Sequence, residues 1–304
     1  MLGGLHHVTA LAGSAQQNLD FYAGFLGLRL VKRTVNFDDP ATHHFYFGGP
    51  DGAPGTLITF FPWGRFRPSR KGAGQAVGFA FRVAESALDQ WQRRAASSGV
   101  TTSGAETRFG ETVLTLFDPD GIAVELVASA HGPRDGGLDA LHSVTLCETA
   151  LDRPVELLGF LGFQPAGREG ERARFQLPGQ SSYVDILDQP GAERGKMGPG
   201  SIHHVAFAVA DEPTQLEWRE RLIEHGLRVS PVKDRSYFHS IYFREPGGVL
   251  FEIATLGPGF LIDESLNDLG SRLCLPTWLE PVRESLEPRL TRVHIPPPAA
   301  MTLT

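Results

Sequence analysis

The chain has 304 residues and 41 % apolar content, enough to bury a sizeable core as one large domain or two ordinary ones. Its formal charge of −7 opposes nucleic acid and anionic membrane as partners, and no apolar run approaches the ~18 residues of a membrane span. Cys147 and Cys274 are too far apart to suggest a disulfide framework, and strand-like sequence begins at about Leu5, so a cytoplasmic protein without a secretion leader is expected.

In chain order, residues 5–11 read as a strand and residues 14–26 as a helix. Ser14 suits the N-cap, Gly27 the C-terminal end, and Leu19, Phe21, Tyr22, Phe25 and Leu26 form the apolar stripe. Three strands follow, near residues 29–37, 43–48 and 56–61. The basic cluster Arg65, Arg67, Arg70 and Lys71 reads as a solvated loop. The same order then recurs. Residues 76–83 open a second unit, with a helix over 87–98, Gly99, and strands to residue 127. Residues 141–146 open a third, with a helix around 151–161 and Gly162. Residues 202–209 open a fourth, with a helix over 213–224 and Gly226. The chain therefore reads as an α+β protein of four βαβββ units spanning residues 1–65, 72–130, 138–192 and 200–256. An extension over 257–304 follows, and its Pro-rich tail from about His294 is expected to be disordered.

Two first strands carry nearly the same phrase, Leu5-His6-His7-Val8-Thr9 and Ile202-His203-His204-Val205-Ala206. Two final strands do as well: Asp118-Pro119-Asp120-Gly121-Ile122-Ala123-Val124-Glu125 matches Glu245-Pro246-Gly247-Gly248-Val249-Leu250-Phe251-Glu252. Two histidines and a carboxylate on strands are the usual ligand set for a non-haem metal with open coordination positions. With these units and phrases the sequence resembles the vicinal oxygen chelate superfamily of glyoxalase I, bleomycin-resistance proteins and extradiol dioxygenases. In that superfamily, pairs of βαβββ units form an eight-stranded cup around a metal. The closer resemblance is to ring-cleaving dioxygenases of the hydroquinone 1,2-dioxygenase and MhqA/MhqO type. It is carried also by Val31-Lys32-Arg33-Thr34-Val35-Asn36-Phe37-Asp38-Asp39-Pro40, Gly257-Pro258-Gly259-Phe260 and Leu275-Pro276-Thr277-Trp278-Leu279-Glu280-Pro281.

Repeat positions test each ligand. The place of His7 and His204 is Ser143 in unit three and lies near Gly78 in unit two. The place of Glu252 is Glu125 in unit two, Thr59 or Phe60 in unit one and about Asp185 in unit three. Only by pairing unit one with four, and two with three, does one cup collect His7, His204 and Glu252; the other cup holds no metal. Strand parity points the same way: His204, Ala206 and Ala208 share a small-residue face, while His203, Val205, Phe207 and Val209 share a face suited to packing under the helix. The resemblance selects the same two histidines and leaves His6 and His203 beside the ligands or facing substrate. His43 and His44, on a middle strand without a matching pair, read as ordinary strand residues, and Glu125 as a structural one. His131, His225, His239 and His294 carry no signal.

Three ligands on one side of an octahedral ion leave sites for a substrate oxygen and dioxygen, which suits Fe(II), with Mn(II) as the other metal that accepts this set. The resemblance implies extradiol-type cleavage of a hydroquinone-like or catecholic ring, with a small aromatic and O2 as partners. It also places a tyrosine and an arginine seven residues before it in the substrate site, matched here by Tyr242 and Arg235. His203 and Tyr242 are then expected as acid–base or hydrogen-bonding groups, with His6 beside them, and Arg235 as an anion stabiliser. Two readings compete: a glyoxalase-type isomerase or lyase, which would have a fourth ligand at the place of Thr59 or Phe60, and a bleomycin-resistance-type binding protein, which needs no metal. The ring substituents are open, as is the oligomeric state, homo-oligomer included.

Overall fold

Period-two alternation dominates the sequence, and the chain realises it as two eight-stranded sheets with one helix per repeat. The computed structural model describes residues 1–130, 132–133, 136–138 and 140–297. Unit one comprises β1 (Leu5–Ala12), α1 (Ala15–Leu19), β2 (Arg29–Asn36), β3 (Asp39–Gly48) and β4 (Leu57–Pro62). Unit two comprises β5 (Gln75–Ala84), α2 (Leu88–Ser97), β6 (Thr102–Arg108), β7 (Glu111–Phe117) and β8 (Ala123–Ser129). Unit three runs through β9 (Leu141–Glu148), α3 (Asp152–Phe160), β10 (Gln164–Glu169), β11 (Arg172–Gln176) and β12 (Tyr183–Asp188). Unit four runs through β13 (Ile202–Val209), α4 (Glu212–Glu224), β14 (Lys233–Asp234), β15 (Phe238–Arg244) and β16 (Leu250–Pro258).

In every unit the first strand lies parallel to the last. The first strands of two units then pair antiparallel, β1 with β13 and β5 with β9. The sheet orders are β14-β15-β16-β13-β1-β4-β3-β2 and β10-β11-β12-β9-β5-β8-β7-β6. Unit one thus shares a sheet with unit four and unit two with unit three, which brings the two ends of the repeat array together. The helices cover an apolar face common to both sheets: Val8, Phe79, Val144, Val205 and Phe207 belong to one buried cluster with Trp91 and Leu222 of the helices.

Local chemistry explains the helix ends. The Ser14 side chain accepts the amide of Gln17, and Gly27 takes φ +72° just past the helix. The helix expected over 14–26 is α-helical only to Leu19; Asp20–Phe25 winds as a π-helix. No helix among the described residues is long and apolar enough to cross a membrane. Both cysteines are free and buried.

The extension folds back over the outer strands of unit one. Leu273, Leu275, Leu286 and Leu290 pack on Val35. The Lys32 side chain is wholly buried, with its ammonium on Glu264 and 2.5 Å from an Asp263 oxygen, a buried charge that needs such partners. The tail is tied down rather than disordered as far as it is described. The amide of His294 donates to Gln16 Oε1 and Gln16 Nε2 donates to the His294 carbonyl, each at 2.8 Å, while Ile295 packs on the main core. Residues 298–304, where that expectation also fell, lie outside the described residues, as does His131.

Candidate metal centre

Strand order β16-β13-β1 sets Glu252, His204 and His7 side by side. His204 Nε2 lies 2.9 Å from Glu252 Oε2, His7 Nε2 lies 3.4 Å from the same oxygen, and the two nitrogens are 3.2 Å apart. All three residues are buried, Glu252 completely. Glu252 Oε1 accepts the Ser240 hydroxyl at 2.5 Å, but Oε2 has no hydrogen-bond partner. Burial alone would raise the Glu252 carboxyl; His7 and His204 instead hold it well below the usual carboxylate range. A buried, ionised oxygen without a donor is costly. Two ligands on adjacent octahedral positions, each bonded at ~2.1 Å, sit ~3.0 Å apart. The separations found here, and the N, N, O donor set, fit a divalent first-row metal.

The histidine neighbours are placed by slips in register. Leu5 lies opposite Phe207 but His7 opposite Ala206, and Thr9 lies opposite His204 but Ala10 opposite Ile202. One extra residue is therefore accommodated at His6 and another at His203, which breaks the alternation. The expectation that His203 shares the face packed under the helix fails for this reason. His203 lines the same cavity as His204, with their Nδ1 atoms 2.8 Å apart. His6 Nδ1 lies 2.9 Å from His7 Nδ1, and His6 Nε2 is 3.2 Å from the Thr255 carbonyl. The hydrogen-bond network assigns the protons. With its Nε2 offered to a metal, His7 would carry its proton on Nδ1 and donate to His6, and His6 would donate from Nε2 to Thr255. His204 would likewise donate to His203. Burial first, then the adjacent histidine, pushes His6 and His203 down to about 3, so both are neutral acceptors at Nδ1.

Above the three donors is a cavity of about 250 Å³, smaller than the ~300–1,000 Å³ typical of sites for drug-sized ligands. Phe37, Phe61, Trp63 and Leu250 give it aromatic and apolar walls. Tyr242, opposite Glu252 in the sheet, and Arg235 both line it. Arg235 Nε donates to the Tyr242 hydroxyl oxygen at 3.1 Å, and its Nη1 donates to Asp38 Oδ2 at 3.0 Å. Burial and the Glu252 charge push the Tyr242 phenol up, so it stays protonated. His6 does not border the cavity; it sits behind His7 against Phe238.

Register also resolves the fourth corner. Thr9 pairs with Thr59 in β1–β4 as Ala206 pairs with Glu252 in β13–β16, so Thr59 is the mate of Glu252 and Phe60 belongs to the core. Thr59 Oγ1 is 2.8 Å from Thr9 Oγ1 and 2.9 Å from His44 Nε2. His44, read from sequence as an ordinary strand residue, faces the cavity. The alternation of β3 carried the signal: Phe45 and Phe47 enter the core, so His44 and Tyr46 occupy the other face. His43 fits its sequence reading. Its Nε2 donates to the Thr291 carbonyl at 2.8 Å and its ring stacks on Phe45.

Comparison with known proteins decides the family. The sequence profile of the glyoxalase/bleomycin resistance protein/dioxygenase superfamily matches residues 4–126 and 156–253. The chain belongs to that superfamily. It is 41 % identical over 295 residues to MhqO of Bacillus subtilis (strain 168), a ring-cleaving dioxygenase by name, covering 93 % of this chain and 94 % of that one. It is 35 % identical over 308 residues to the chlorohydroquinone/hydroquinone 1,2-dioxygenase of Sphingobium indicum, covering 93 % and 94 %. A crystal structure titled as a dioxygenase from Bacillus subtilis superposes with a TM-score of 0.93 at 39 % identity, covering 97 % of this chain and 99 % of that chain. Near-full-length likeness at this level makes the superfamily member an enzyme of the dioxygenase class.

Proposed function

We propose that the protein is a non-haem Fe(II)-dependent, extradiol-type ring-cleaving dioxygenase that acts on hydroquinone-like or catecholic aromatics, with His7, His204 and Glu252 as the metal ligands. One observation carries the reading: three buried donors 2.9–3.4 Å apart, one an ionised oxygen without a hydrogen-bond partner, lie beneath a cavity sized and walled for an aromatic ring. Fe(II) held there supplies the redox coupling between phenol and dioxygen and favours the deprotonated phenol.

The chain's own residues do the rest. Phe37, Phe61 and Trp63 clamp the ring and exclude water. His203 accepts the His204 N–H at Nδ1, so its own proton is on Nε2, where it donates a hydrogen bond to substrate. Arg235 donates to the Tyr242 oxygen and leaves the phenolic proton free for a bond to substrate, while its guanidinium offsets negative charge that develops on the ring. His6 acts behind His7, fixing its tautomer and orientation through Thr255. Asp38 holds Arg235 from the rim.

The test is anaerobic reconstitution with Fe(II), and with Mn(II) in parallel, followed by oxygen uptake on a panel of hydroquinones and catechols. We expect uptake matched to loss of the aromatic absorbance, with Fe(II) the active metal. No uptake with any phenol, together with turnover of a glutathione or bacillithiol hemithioacetal, overturns the reading in favour of an isomerase.

A further inference from the structure

The proposed site has two walls, and the unit-four wall carries the groups already assigned: His203, Arg235 and Tyr242. The unit-one wall carries the rings of Phe37, Tyr46, Phe61 and Trp63 and, among its polar groups, Thr9, Asn36, Asp38 and the ring of His44 on β3. The His44 ring is wedged between Tyr46 and Phe61, with centroid separations of 4.0 and 4.2 Å, so it cannot swing away. Its Nε2 is fixed by Thr59 at 2.9 Å, at the corner where the repeat would put a second carboxylate beside the metal. The ring lines the cavity, and with Nε2 engaged by Thr59 its other nitrogen, Nδ1, is the one left for a ligand.

We propose that His44 is a substrate-binding residue, which holds through Nδ1 the second oxygen of a hydroquinone or catechol whose first oxygen binds at the metal. The inference rests on the proposed function for the first oxygen. A ring with two oxygens placed in this cavity keeps one by the three metal-site donors. The other then needs a polar partner, because a buried hydroxyl without one is costly, and His44 offers one on a ring fixed between two aromatic side chains. The chain Thr9–Thr59–His44 suits that task. With the hydroxyl protons directed from Thr9 to Thr59 to His44 Nε2, the ring presents an N–H at Nδ1; with the chain reversed it presents a lone pair. One neutral side chain can therefore serve a phenol, a phenolate or a carbonyl oxygen as the reaction proceeds. Burial, and after it His7, holds His44 well below the ordinary histidine range, in the neutral form this requires.

The test compares hydroquinone with phenol, which lacks the second oxygen, by anaerobic calorimetric titration of the Fe(II)-loaded protein. His44→Phe keeps the ring stacked between Tyr46 and Phe61 and removes both nitrogens; His44→Gln retains a hydrogen-bonding end. The wild-type protein should prefer hydroquinone over phenol at least tenfold. His44→Phe should erase that preference with bound iron unchanged, and His44→Gln should restore part of it. A preference that survives in His44→Phe overturns the inference, as does its absence in the wild type or a loss of iron from the variant. Binding is read without oxygen, so a protein that binds with this preference yet never consumes oxygen counts against the proposed reaction and not against His44.

Discussion

The two sheets of this protein are the same construction with opposite contents. In the sheet of units one and four the central strands carry His7 and His204, and the final-strand corner positions are Glu252 and Thr59. In the sheet of units two and three the corresponding residues are Gly78 and Ser143, with carboxylates at both corners, Glu125 and Asp185. Those carboxylates are neutralised by arginine. Arg108 lies 2.8 Å from Glu125, and Arg174 grips Asp185 through Nε and Nη2 at 2.8 and 3.0 Å. Arg174 occupies the place that Tyr242 holds in unit four and also meets Glu111 at 2.7 Å. His142, the counterpart of His203, is turned to Glu111 at 3.1 Å. A carboxylate buried at the centre of such a sheet must have its charge answered. Units two and three answer it with guanidinium groups; the first sheet sets Glu252 against the Ser240 hydroxyl and the rings of His7 and His204, with which it forms the donor set we propose for a metal.

The largest break in this contrast comes from the ligands. Replacing His7, His204 or Glu252 with Ala should each remove iron to background, beyond the roughly 10–100-fold that loss of an outer partner costs. Iron content that survives all three changes would sink the site assignment, while the second sheet should stay folded by circular dichroism throughout. The next break is Thr59→Glu, which gives the first sheet the two carboxylates of the second without its arginines. A fourth ligand at that corner should retain the metal but reduce oxygen uptake by about a hundredfold or more, because the open face is lost. Uptake at the wild-type rate with the metal still bound would show that the Thr59 corner does not govern access.

Much of this was legible in the sequence, and the parts that were not have physical reasons. The repeat announced itself through its turns. Asp118 accepts the amides of Asp120 and Ile122, and Glu245 accepts those of Gly247 and Val249, so one acidic residue closes each matched turn. That equivalence aligned the units and brought His7, His204 and Glu252 to one sheet. The slips at His6 and His203 were not legible, because period two carries no mark for a single extra residue. His44 was overlooked for a different reason: it has no repeat partner, and the alternation of β3, which does mark its face, does not say that this face lines the site. The π-helical Asp20–Phe25 was missed because its apolar stripe suits either winding. The arginine answer to Glu125 and Asp185 depends on long side chains crossing between strands, which sequence spacing does not record.

The charge network of the second sheet should appear in acid. Burial would raise the Glu111 carboxyl, but His142 and Arg174 bring it down to about 2. A depressed carboxylate contributes stability that is present above its ordinary value near 4.5 and lost as pH falls toward 2. The upper bound is roughly 3 kcal/mol, less where water reaches the group. Thermal unfolding followed from pH 5 to 2 should show that loss, and Glu111→Gln should flatten it; an unchanged profile in the variant would place the acid sensitivity elsewhere.

The smallest expected effect is the most pointed. Introducing Gly78→His and Ser143→His would give the second sheet two histidines and a carboxylate in the positions of His7, His204 and Glu252 or its mate. If ligand residues alone made the site, metal content would rise to two per chain. We expect it to stay at one, because Arg108 already holds Glu125 and Arg174 fills the centre. Steric fit opposes the graft as well: a Cβ at Gly78 would lie 3.2 Å from the Ala123 carbonyl oxygen. Metal analysis after Fe(II) or Zn(II) loading decides it. A second metal bound with both arginines in place would show that the guanidinium groups do not keep metal out, whereas its appearance only after Arg108→Leu is added would identify Arg108 as the group that makes the difference between the two sheets.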